Sequence, residues 1–273
     1  MTSSLAKIED FPPDPVEFFK KILQEAAKGH PDGFMQEMNL ATVDEEYGVL
    51  NRTVLYRGLT QDNCVFYITH RYVRNFKNLQ ANPKACITFY MPDVKDGAGN
   101  QSTWQEYGVL NRTVLYRGLT QDNCVFYITH RYVRNFKNLQ ANPKACITFY
   151  MPDVKDGAGN QSTWQVRLIG ATAVELAQSE MDALWAKENL AAQIRGHICP
   201  CGEPINYDEL KAKHDQFLQD HRGKSIERPA SYTAWKFQPQ RWDFLKVGLD
   251  QIADRVQYRL QKDGKWASMH VST

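Results

Sequence analysis

Three arginines lie at positions where their charges could act together on an anion. Arg52 and Arg57 frame the stretch RTVLYR, whose β-branched and aromatic residues predict a strand, and Arg74 begins a predicted helix. Planar guanidinium groups and the free N–H groups of a helix N-terminus both suit a phosphate. The three residues therefore form a candidate phosphate site. On spacing alone, solvated surface arginines are the favoured interpretation.

One long segment of the chain occurs twice without a single change. Residues 46–105 recur as residues 106–165, so that removing one 60-residue copy from the 273 leaves 213 residues. Solenoid proteins need about three or more units with atypical ends, and neither condition is met here. A recent duplication within a single-copy chain is therefore the favoured interpretation, and a functional two-repeat design is the alternative.

Charge and composition argue against several classes of protein. The net charge is +2, but each copy holds seven basic and four acidic residues, so a single-copy chain would carry −1. Neither value supports nucleic-acid binding, and no apolar run is long enough to cross a membrane. The first residues lack the apolar region of a secretory signal, and we expect reduced thiols. The sequence therefore predicts a cytoplasmic protein without nucleic-acid or membrane partners.

Secondary-structure signals predict a mixed fold. Asp14 and Pro15 are a typical helix start, and the apolar residues that follow recur at helical spacing. Short stretches such as NCVFYITH, KACITFYM, VRLIGATAVEL, SYTAWKFQ and RWDFLKVG have the composition of strands, with helices between some of them. Many strands with a few helices predict an α+β fold built on an antiparallel barrel.

The order of these segments resembles the pyridoxamine/pyridoxine 5′-phosphate oxidases. The stretches RTVLYRG, FYITH, VRNFKNLQANP, ITFY and WQVRLIG carry the resemblance, together with DPVEFF, LATV and DRVQYRL. They cover nearly the whole single-copy chain. The resemblance implies an FMN-binding split β-barrel with flanking helices, a homodimer, and FMN as cofactor. It also implies an oxidoreductase that forms pyridoxal 5′-phosphate with dioxygen as acceptor.

The resemblance also implies which residues contact FMN. In the first copy these are Arg52, Thr53, Val54, Leu55, Ile68, Thr69 and Arg74, and in the second copy Arg112, Thr113, Val114, Leu115, Ile128, Thr129 and Arg134. Gln165 and Arg255 complete the set. Two positions depart from the family, since Asn75 stands where the family has a basic residue and Leu245 where it has a tryptophan.

The substrate positions depart further from the family. Arg57, with Arg117 in the second copy, keeps the charge of a lysine that binds the substrate phosphate. Three helix positions of the family align with Leu184, Glu188 and Ala192, and an arginine and a histidine beside the flavin align with Gln251 and Ala253. Glu188 would repel a phosphate dianion. We therefore expect weakened oxidase activity, and the alternatives are a silent FMN-binding dimer or an FMN oxidoreductase with another small-molecule substrate. No catalytic residue is predicted.

Three other patterns allow functional interpretations. The histidine and cysteine positions His197, Cys199, Cys201, His214 and His221 lack matched Cys-x2–4-Cys spacing, so no metal is predicted. Trp235, Trp242 and Trp266 lie in strand patterns, where a core position is favoured over flavin stacking. His70 and His130 end a strand pattern and are weak candidates for acid–base groups.

The duplication determines the expected domain organisation. Residues 1–45 would supply a helix and the first strand, residues 46–105 and 106–165 the two copies, and residues 166–273 the remaining elements of one split-barrel domain. Each copy encodes strand, strand, helix and strand, and a barrel has room for one such set. We therefore expect one copy to be displaced from the barrel as a 60-residue segment.

Overall fold

The computed structural model describes residues 12–27, 36–89, 114, 116–155, 161–199, 203–248 and 251–272. The chain divides into two compact units. Among the described residues, the first unit comprises those within Val114–Pro143 and Thr172–Gln238, and the second comprises those within Asp10–Thr113, Lys144–Ala171 and Pro239–Thr273. These boundaries differ from the four sequence segments, and the formation of one barrel from those segments stays a prediction.

The described residues form helices and strands in mixed order. In chain order they are α1 Pro15–Ala27, β1 Glu37–Asp44, β2 Gly48–Leu55, α2 Arg74–Ala81, β3 Ala85–Phe89, β4 Val125–His130, α3 Arg134–Ala141, β5 Lys144–Lys155, β6 Gln161–Glu175, α4 Gln178–Trp185, α5 Leu190–Ile198, α6 Tyr207–Asp220, β7 Tyr232–Gln238, β8 Arg241–Gly248, β9 Asp254–Leu260 and β10 Trp266–His270. The described pairings between these strands are antiparallel. The α+β class predicted from the sequence is therefore confirmed. Among the described residues no helix is long and apolar enough to span a membrane.

The predicted start of α1 is confirmed. Asp14 caps the helix, because its carboxylate accepts a hydrogen bond of 2.8 Å from the N–H of Val16. Pro15 then occupies the first helical position, where its missing N–H has no cost. Phe19 on this helix packs against the rings of Tyr56 and Phe89, with centroid distances of 6.0 and 4.9 Å. The aromatic contacts attach α1 to the strands of the second unit.

The second unit contains two groups of strands. Strand β1 lies between β2 and β3, and the tight β1–β2 turn is closed by the Asp44 carboxylate, which accepts from the N–H groups of Glu46 and Tyr47. Gly48 ends this turn with φ of 76°, a conformation that favours glycine. The other strands follow the order β10-β9-β8-β6, with β5 also paired to β6. The predicted hairpin around Val43–Asn51 is therefore present.

The first unit packs helices against a shorter group of strands. Strand β7 pairs with β4 on one side and with the last residues of β6, from Thr172, on the other. The buried core consists of Phe126, Leu176, Met181, Trp185, Tyr232 and Ala234. Helices α5 and α6 begin at asparagine caps, since the side chains of Asn189 and Asn206 accept hydrogen bonds from main-chain N–H groups in the first turn. Burial of this apolar cluster stabilises the unit.

The two copies of the repeated segment fold differently. In the first copy Gly48–Leu55 is β2, whereas residues 65–70 form no strand beyond an isolated bridge at Val65. In the second copy the counterpart of 65–70 is β4, and of the residues equivalent to β2 only Val114 is described. Helix α2 and strand β3 recur as α3 and the beginning of β5. The described residues include paired strands from both copies, and the displacement of one copy from a barrel stays a prediction.

The identical copies provide a matched test of this asymmetry. Cys64 is exposed, whereas its counterpart Cys124 is buried, and burial raises the pKa of the Cys124 thiol. Thiol exchange requires a thiolate that the reagent can reach. We therefore expect the exposed Cys64 to react with a disulfide reagent at least about ten-fold faster than the buried Cys124. Rates should be measured by absorbance with Cys199 and Cys201 replaced by serine. Cys64→Ser should abolish the fastest phase and Cys124→Ser should retain it. Equal effects would contradict the asymmetry.

Candidate functional site

Four arginines from four strands gather in the second unit. Arg52 lies on β2, Arg167 on β6, Arg241 on β8 and Arg255 on β9. Electrostatic repulsion links them, because Arg167 contributes to the lowered pKa of Arg52, and both Arg167 and Arg241 contribute to that of Arg255. We call these four residues the arginine group. Such a concentration of positive charge favours an anion.

Strand register places most of the arginine group on one face. Gln165 pairs with Leu245, and Leu245 with Arg255, so these three side chains form one row across β6, β8 and β9. Arg167 pairs with Asp243 two residues further along. Because side chains at alternate positions share a face, both rows and Arg241 lie on the same side of the strands. The predicted contacts Gln165 and Arg255 therefore belong to the same surface.

Arg52 is held within the second unit by neutral oxygen atoms. Its side chain donates to the Thr42 hydroxyl at 2.7 Å and to the Leu40 carbonyl at 3.4 Å. The residue is only 8% exposed. Burial, followed by repulsion from Arg167, lowers its pKa to about 10. The guanidinium is therefore still charged at neutral pH but has no carboxylate ion pair among the described residues.

Asp243 supplies negative charge to the arginine group. Its side chain is buried and lies 3.0 Å from the Arg167 guanidinium, and it also accepts a hydrogen bond of 2.7 Å from the Gln257 amide. The Nε of Arg255 is 3.6 Å from Asp243, too far for a hydrogen bond. Burial lowers the pKa of Arg255, and Asp243 partly opposes this effect. One carboxylate thus serves two arginines.

Two buried donors of the arginine group remain available. Within the described part of the chain, Arg241 Nε and Arg255 Nε have no hydrogen-bond partner. Arg241 instead places its guanidinium over the ring of Tyr47, 5.0 Å from the centroid. A buried donor without a partner is costly unless a ligand accepts from it. The donor set therefore suits a phosphate, which offers several acceptor oxygens.

The other predicted FMN contacts are distributed between the two units. Thr53 on β2 donates to the Asn39 side chain at 3.1 Å, and Val54 and Leu55 follow on the same strand. Thr69 donates to Asn75 at 3.4 Å, and Ile68 is exposed. Their counterparts Ile128 and Thr129 lie on β4 and Arg134 begins α3, all in the first unit, where Val114 is exposed. Arg112, Thr113 and Leu115 lie outside the described residues.

Arg74 has acidic partners of its own. Its guanidinium contacts the Asp44 carboxylate at 2.8 Å and Glu46 at 2.6 Å. The hydrogen bond to Asp44 is the main reason why the pKa of Arg74 is raised, whereas burial acts in the opposite direction. The charge predicted to bind a phosphate is therefore balanced by two carboxylates. In this arrangement Arg74 fixes the β1–β2 turn.

The structure brings together two of the predicted substrate positions. One nitrogen of the Arg117 guanidinium donates to both carboxylate oxygens of Glu188, at 2.8 and 2.6 Å. The Tyr232 hydroxyl donates to the same carboxylate at 3.0 Å, and burial together with Glu188 raises the pKa of Tyr232. The side chain of Glu188 is 3% exposed and occupies the position of an anion against Arg117. The first-copy residue Arg57 is exposed.

His130 occupies a confined pocket in the first unit. Its Nδ1 lies 3.1 Å from the Ser231 hydroxyl, and its ring contacts those of Tyr132 and Tyr232 at 5.2 and 5.8 Å. Gly196 allows this approach, since a Cβ at that position would lie 2.9 Å from the imidazole. Burial, followed by repulsion from Arg195, lowers the pKa of His130 to about 4. His130 is therefore neutral at pH 7, and its identical counterpart His70 is exposed.

The remaining candidate residues have ordinary structural contacts. His197 bonds the Glu227 carbonyl at 2.8 Å, and the described residues contain no group of three potential metal ligands. Cys201 lies outside the described residues. Trp235 is buried and packs against Phe136, as expected for a core residue, whereas Trp266 is exposed. These residues give no separate site.

The sequence did not predict three charged residues on the shared face of β6, β8 and β9. Arg167, Arg241 and Asp243 were not among the predicted contacts, although the stretches VRLIG and RWDFLKVG place charged residues within strand patterns. Arg241 and Asp243 are two residues apart, and this spacing places both side chains on one face. A search for charge at alternate strand positions would therefore have found this pair. Arg167 needed the β6–β8 register as well.

Comparison with curated proteins shows a consistent set of relatives. The chain is 28% identical over 156 residues to pyridoxine/pyridoxamine 5′-phosphate oxidase of Bacteroides thetaiotaomicron, covering 57% of this chain and 68% of the relative. It is 26% identical over 154 residues to the oxidase of the same name from Rubrobacter xylanophilus, covering 56% and 66%. The Bordetella pertussis oxidase gives 27% over 154 residues, covering 56% and 67%. The resemblance noted from the sequence is therefore confirmed.

Comparisons with family models and solved structures add little to these relatives. No family model matches the chain. PhzG from Burkholderia lata, solved with tetrahydrophenazine-1-carboxylic acid, has a TM-score of 0.47 at 14% identity, covering 97% of this chain and 95% of that protein. A pyridoxamine 5′-phosphate oxidase-related, FMN-binding protein from Nostoc punctiforme has a TM-score of 0.32 at 14% identity, covering 93% and 95%. Because both scores are below 0.5, the relationship depends on the sequence matches.

The environment of His130 predicts a specific pH dependence. Its pKa of about 4 lies below the usual 6.5, so between these values the folded protein binds fewer protons than the unfolded chain. The contribution of His130 to the free energy of unfolding is therefore present above pH 6.5 and is lost as the pH falls toward 4. NMR titration should show a histidine resonance that shifts near pH 4. His130→Asn should remove it and His70→Asn should retain it. A shift near 6.5 from His130 would contradict the proposed burial.

Proposed function

Because the chain is similar in sequence to pyridoxine/pyridoxamine 5′-phosphate oxidases, we propose that it is an FMN-binding oxidoreductase. The observation that carries this proposal is the arginine group, in which the buried Nε atoms of Arg241 and Arg255 make no hydrogen bond, although Arg255 lies 3.6 Å from Asp243. A flavin mononucleotide ends in a phosphate, and guanidinium groups match phosphate oxygens in both charge and geometry. The proposal thus explains why several arginines are concentrated on strands of one unit.

Each part of the site would have a separate task. Arg241 and Arg255 would donate to the phosphate, Arg52 and Arg167 would add positive charge, and Gln165 would contact the ribityl chain. Asp243 would keep the arginines in place without neutralising all of them. Bound FMN would supply the acceptor for a hydride from the substrate, with dioxygen as the final electron acceptor. The protein's contribution is to bind and orient the reactants.

The proposed substrate is a small molecule, and vitamin B6 phosphates are poor candidates. Glu188 already forms an ion pair with Arg117, the residue that the family resemblance implies would bind a substrate phosphate. A phosphate dianion would have to displace a buried carboxylate that is also bonded to Tyr232. Gln251 and Ala253 further replace two family residues beside the flavin. We therefore propose weakened pyridoxal 5′-phosphate formation, and the Glu188 contact also favours two alternatives: another small-molecule substrate, or a catalytically silent FMN-binding protein.

Assembly and cellular location follow from the same proposal. By analogy with the family, the protein would act as a cytoplasmic homodimer and would contact neither nucleic acid nor membrane. A yellow protein after reconstitution with FMN would distinguish all flavin-dependent alternatives from a protein that binds no flavin. Hydrogen peroxide release with pyridoxamine 5′-phosphate would distinguish an active oxidase from the other two.

The arginine group predicts the determinants of FMN affinity. Arg255→Gln should weaken FMN binding about ten- to a hundred-fold, because it removes one charge-assisted hydrogen-bond donor. Affinity should be measured by quenching of flavin fluorescence. The control is Arg222→Gln, which removes the same charge at an exposed position in the first unit and should leave affinity unchanged. Absence of flavin absorbance in the reconstituted wild-type protein would overturn the proposal.

The Arg117–Glu188 pair predicts a gain of substrate binding. The unaltered protein should release hydrogen peroxide from pyridoxamine 5′-phosphate more slowly than the Bacteroides thetaiotaomicron relative. Glu188→Gln should lower KM about ten-fold, because it leaves Arg117 charged and free of a carboxylate. The gain should disappear in Glu188→Gln/Arg117→Gln and persist in Glu188→Gln/Arg57→Gln. Turnover by the unaltered protein equal to that of the relative would contradict this account.

A further inference from the structure

The same six residues, VFYITH, exist in a paired and an unpaired form within one chain. In the second copy they form β4, which pairs with β7 from Val125 to His130. In the first copy, residues 65–70, only an isolated bridge joins Val65 to Leu59. Phe66 is 37% exposed whereas Phe126 is 7% exposed, and Ile68 is 75% exposed. The chain thus carries a second copy of the β4 sequence that is not paired as a strand and has apolar side chains in water; we call residues 65–70 the spare strand.

The position that β4 occupies on β7 fits the spare strand equally well. In this position Phe126 is part of the core cluster, Ile128 packs against that cluster, and Ile128 pairs directly with Ala234. Residues 65–70 have the same side chains in the same order. Shape and hydrophobic complementarity to β7 are therefore guaranteed by sequence identity. An exposed apolar strand of this kind is a recognised template for pairing between chains.

Hydrogen-bond directions leave the required edge of the spare strand available. The N–H of Phe66 donates to the Gly58 carbonyl at 3.2 Å, and the Phe66 carbonyl accepts from the N–H of Arg57 at 3.1 Å, so both groups point toward the segment that follows β2. Because alternate residues of a strand point to opposite edges, Val65, Tyr67 and Thr69 would direct their main-chain groups to the other edge when residues 65–70 become a strand. In the second copy the N–H of Arg131 donates to the Ser231 carbonyl, so the main-chain groups of Arg131 point toward β7. By the same alternation Val125, Tyr127 and Thr129, which are the counterparts of Val65, Tyr67 and Thr69, also point toward β7. The spare strand can therefore keep its hydrogen bonds to Arg57 and Gly58 while it pairs with β7 of another chain.

We propose that residues 65–70 are a docking segment for β7 of a second copy of this chain, in which they replace that copy's β4. The exchange substitutes identical side chains, so the hydrogen bonds and buried area on β7 are unchanged. It is opposed by the tethering of β4 to its own chain, which is equivalent to an effective concentration of about millimolar for a short linker. The exchanged form should therefore increase with protein concentration. The result is a strand-swapped oligomer.

Two chains, each with one introduced cysteine, provide the test. Ile128 and Ala234 form a non-hydrogen-bonded pair, whose Cα atoms are about 4.5 Å apart and within disulfide range. By the same register, Ile68 of one chain would face Ala234 of another. A chain with Ile68→Cys should thus form a disulfide-linked heterodimer with a chain carrying Ala234→Cys, in a background of Cys64→Ser. Linkage should increase with total concentration on non-reducing gels.

Matched controls separate exchange from other forms of association. Ile128→Cys and Ala234→Cys in one chain should form an intramolecular disulfide, which shows that the site is folded and competent. A mixture of separate Ile128→Cys and Ala234→Cys chains should give several-fold less heterodimer than the Ile68→Cys mixture. Equal linkage in the two mixtures, or no linkage with Ile68→Cys while the intramolecular disulfide forms, would overturn the proposal. The test does not depend on FMN binding, so failure of the proposed function leaves it intact.

Discussion

The ion pairs of the buried Asp243 carboxylate fix the positions of Arg167 and Arg255 in the arginine group of the second unit. A carboxylate removed from water is unstable unless cations and hydrogen-bond donors surround it; Arg167 and Arg255 supply the positive charge, and Gln257 donates a hydrogen bond to one of the two oxygens. The arrangement requires the β6–β8–β9 register, because a shift by one residue would move Asp243 to the opposite face. The arginines, in turn, exceed what one carboxylate can neutralise. Structural stability and affinity for an anion therefore depend on the same group.

The arginine group of the second unit and Arg117 of the first unit differ in how fully acidic partners balance their charge. In the second unit positive charge lacks some partners, whereas in the first unit Arg117 is balanced by Glu188 and Tyr232. A flavin phosphate would find donors without partners, but a substrate phosphate would compete with a carboxylate already in place. Cofactor binding and substrate recognition therefore need not have been retained together. This separation is compatible with a relative that keeps the flavin and has changed or lost its reaction.

Local patterns in the sequence predicted some elements and could not predict others. The Asp14–Pro15 cap, the Val43–Asn51 hairpin and the α+β class follow from capping, turn and strand propensities that act within a few residues. Gln165 and Arg255 were identified by resemblance, but Arg167 and Arg241 depend on which strands become neighbours. The two copies show the limit of local reasoning. Identical residues cannot reveal which copy of VFYITH pairs with β7, because only distant parts of the chain distinguish them.

Helices α2 and α3 have the same sequence but different surroundings. Their N-terminal caps have almost the same backbone angles, φ and ψ of −77° and 154° at Val73 and −76° and 151° at Val133. Their buried residues differ nevertheless, with Asn75 and Asn78 in α2 and Phe136 in α3. The same helix sequence therefore buries different side chains in the two copies. Because Phe136 is buried and Phe76 is only half-buried, the same substitution should lower the free energy of unfolding more at Phe136 than at Phe76.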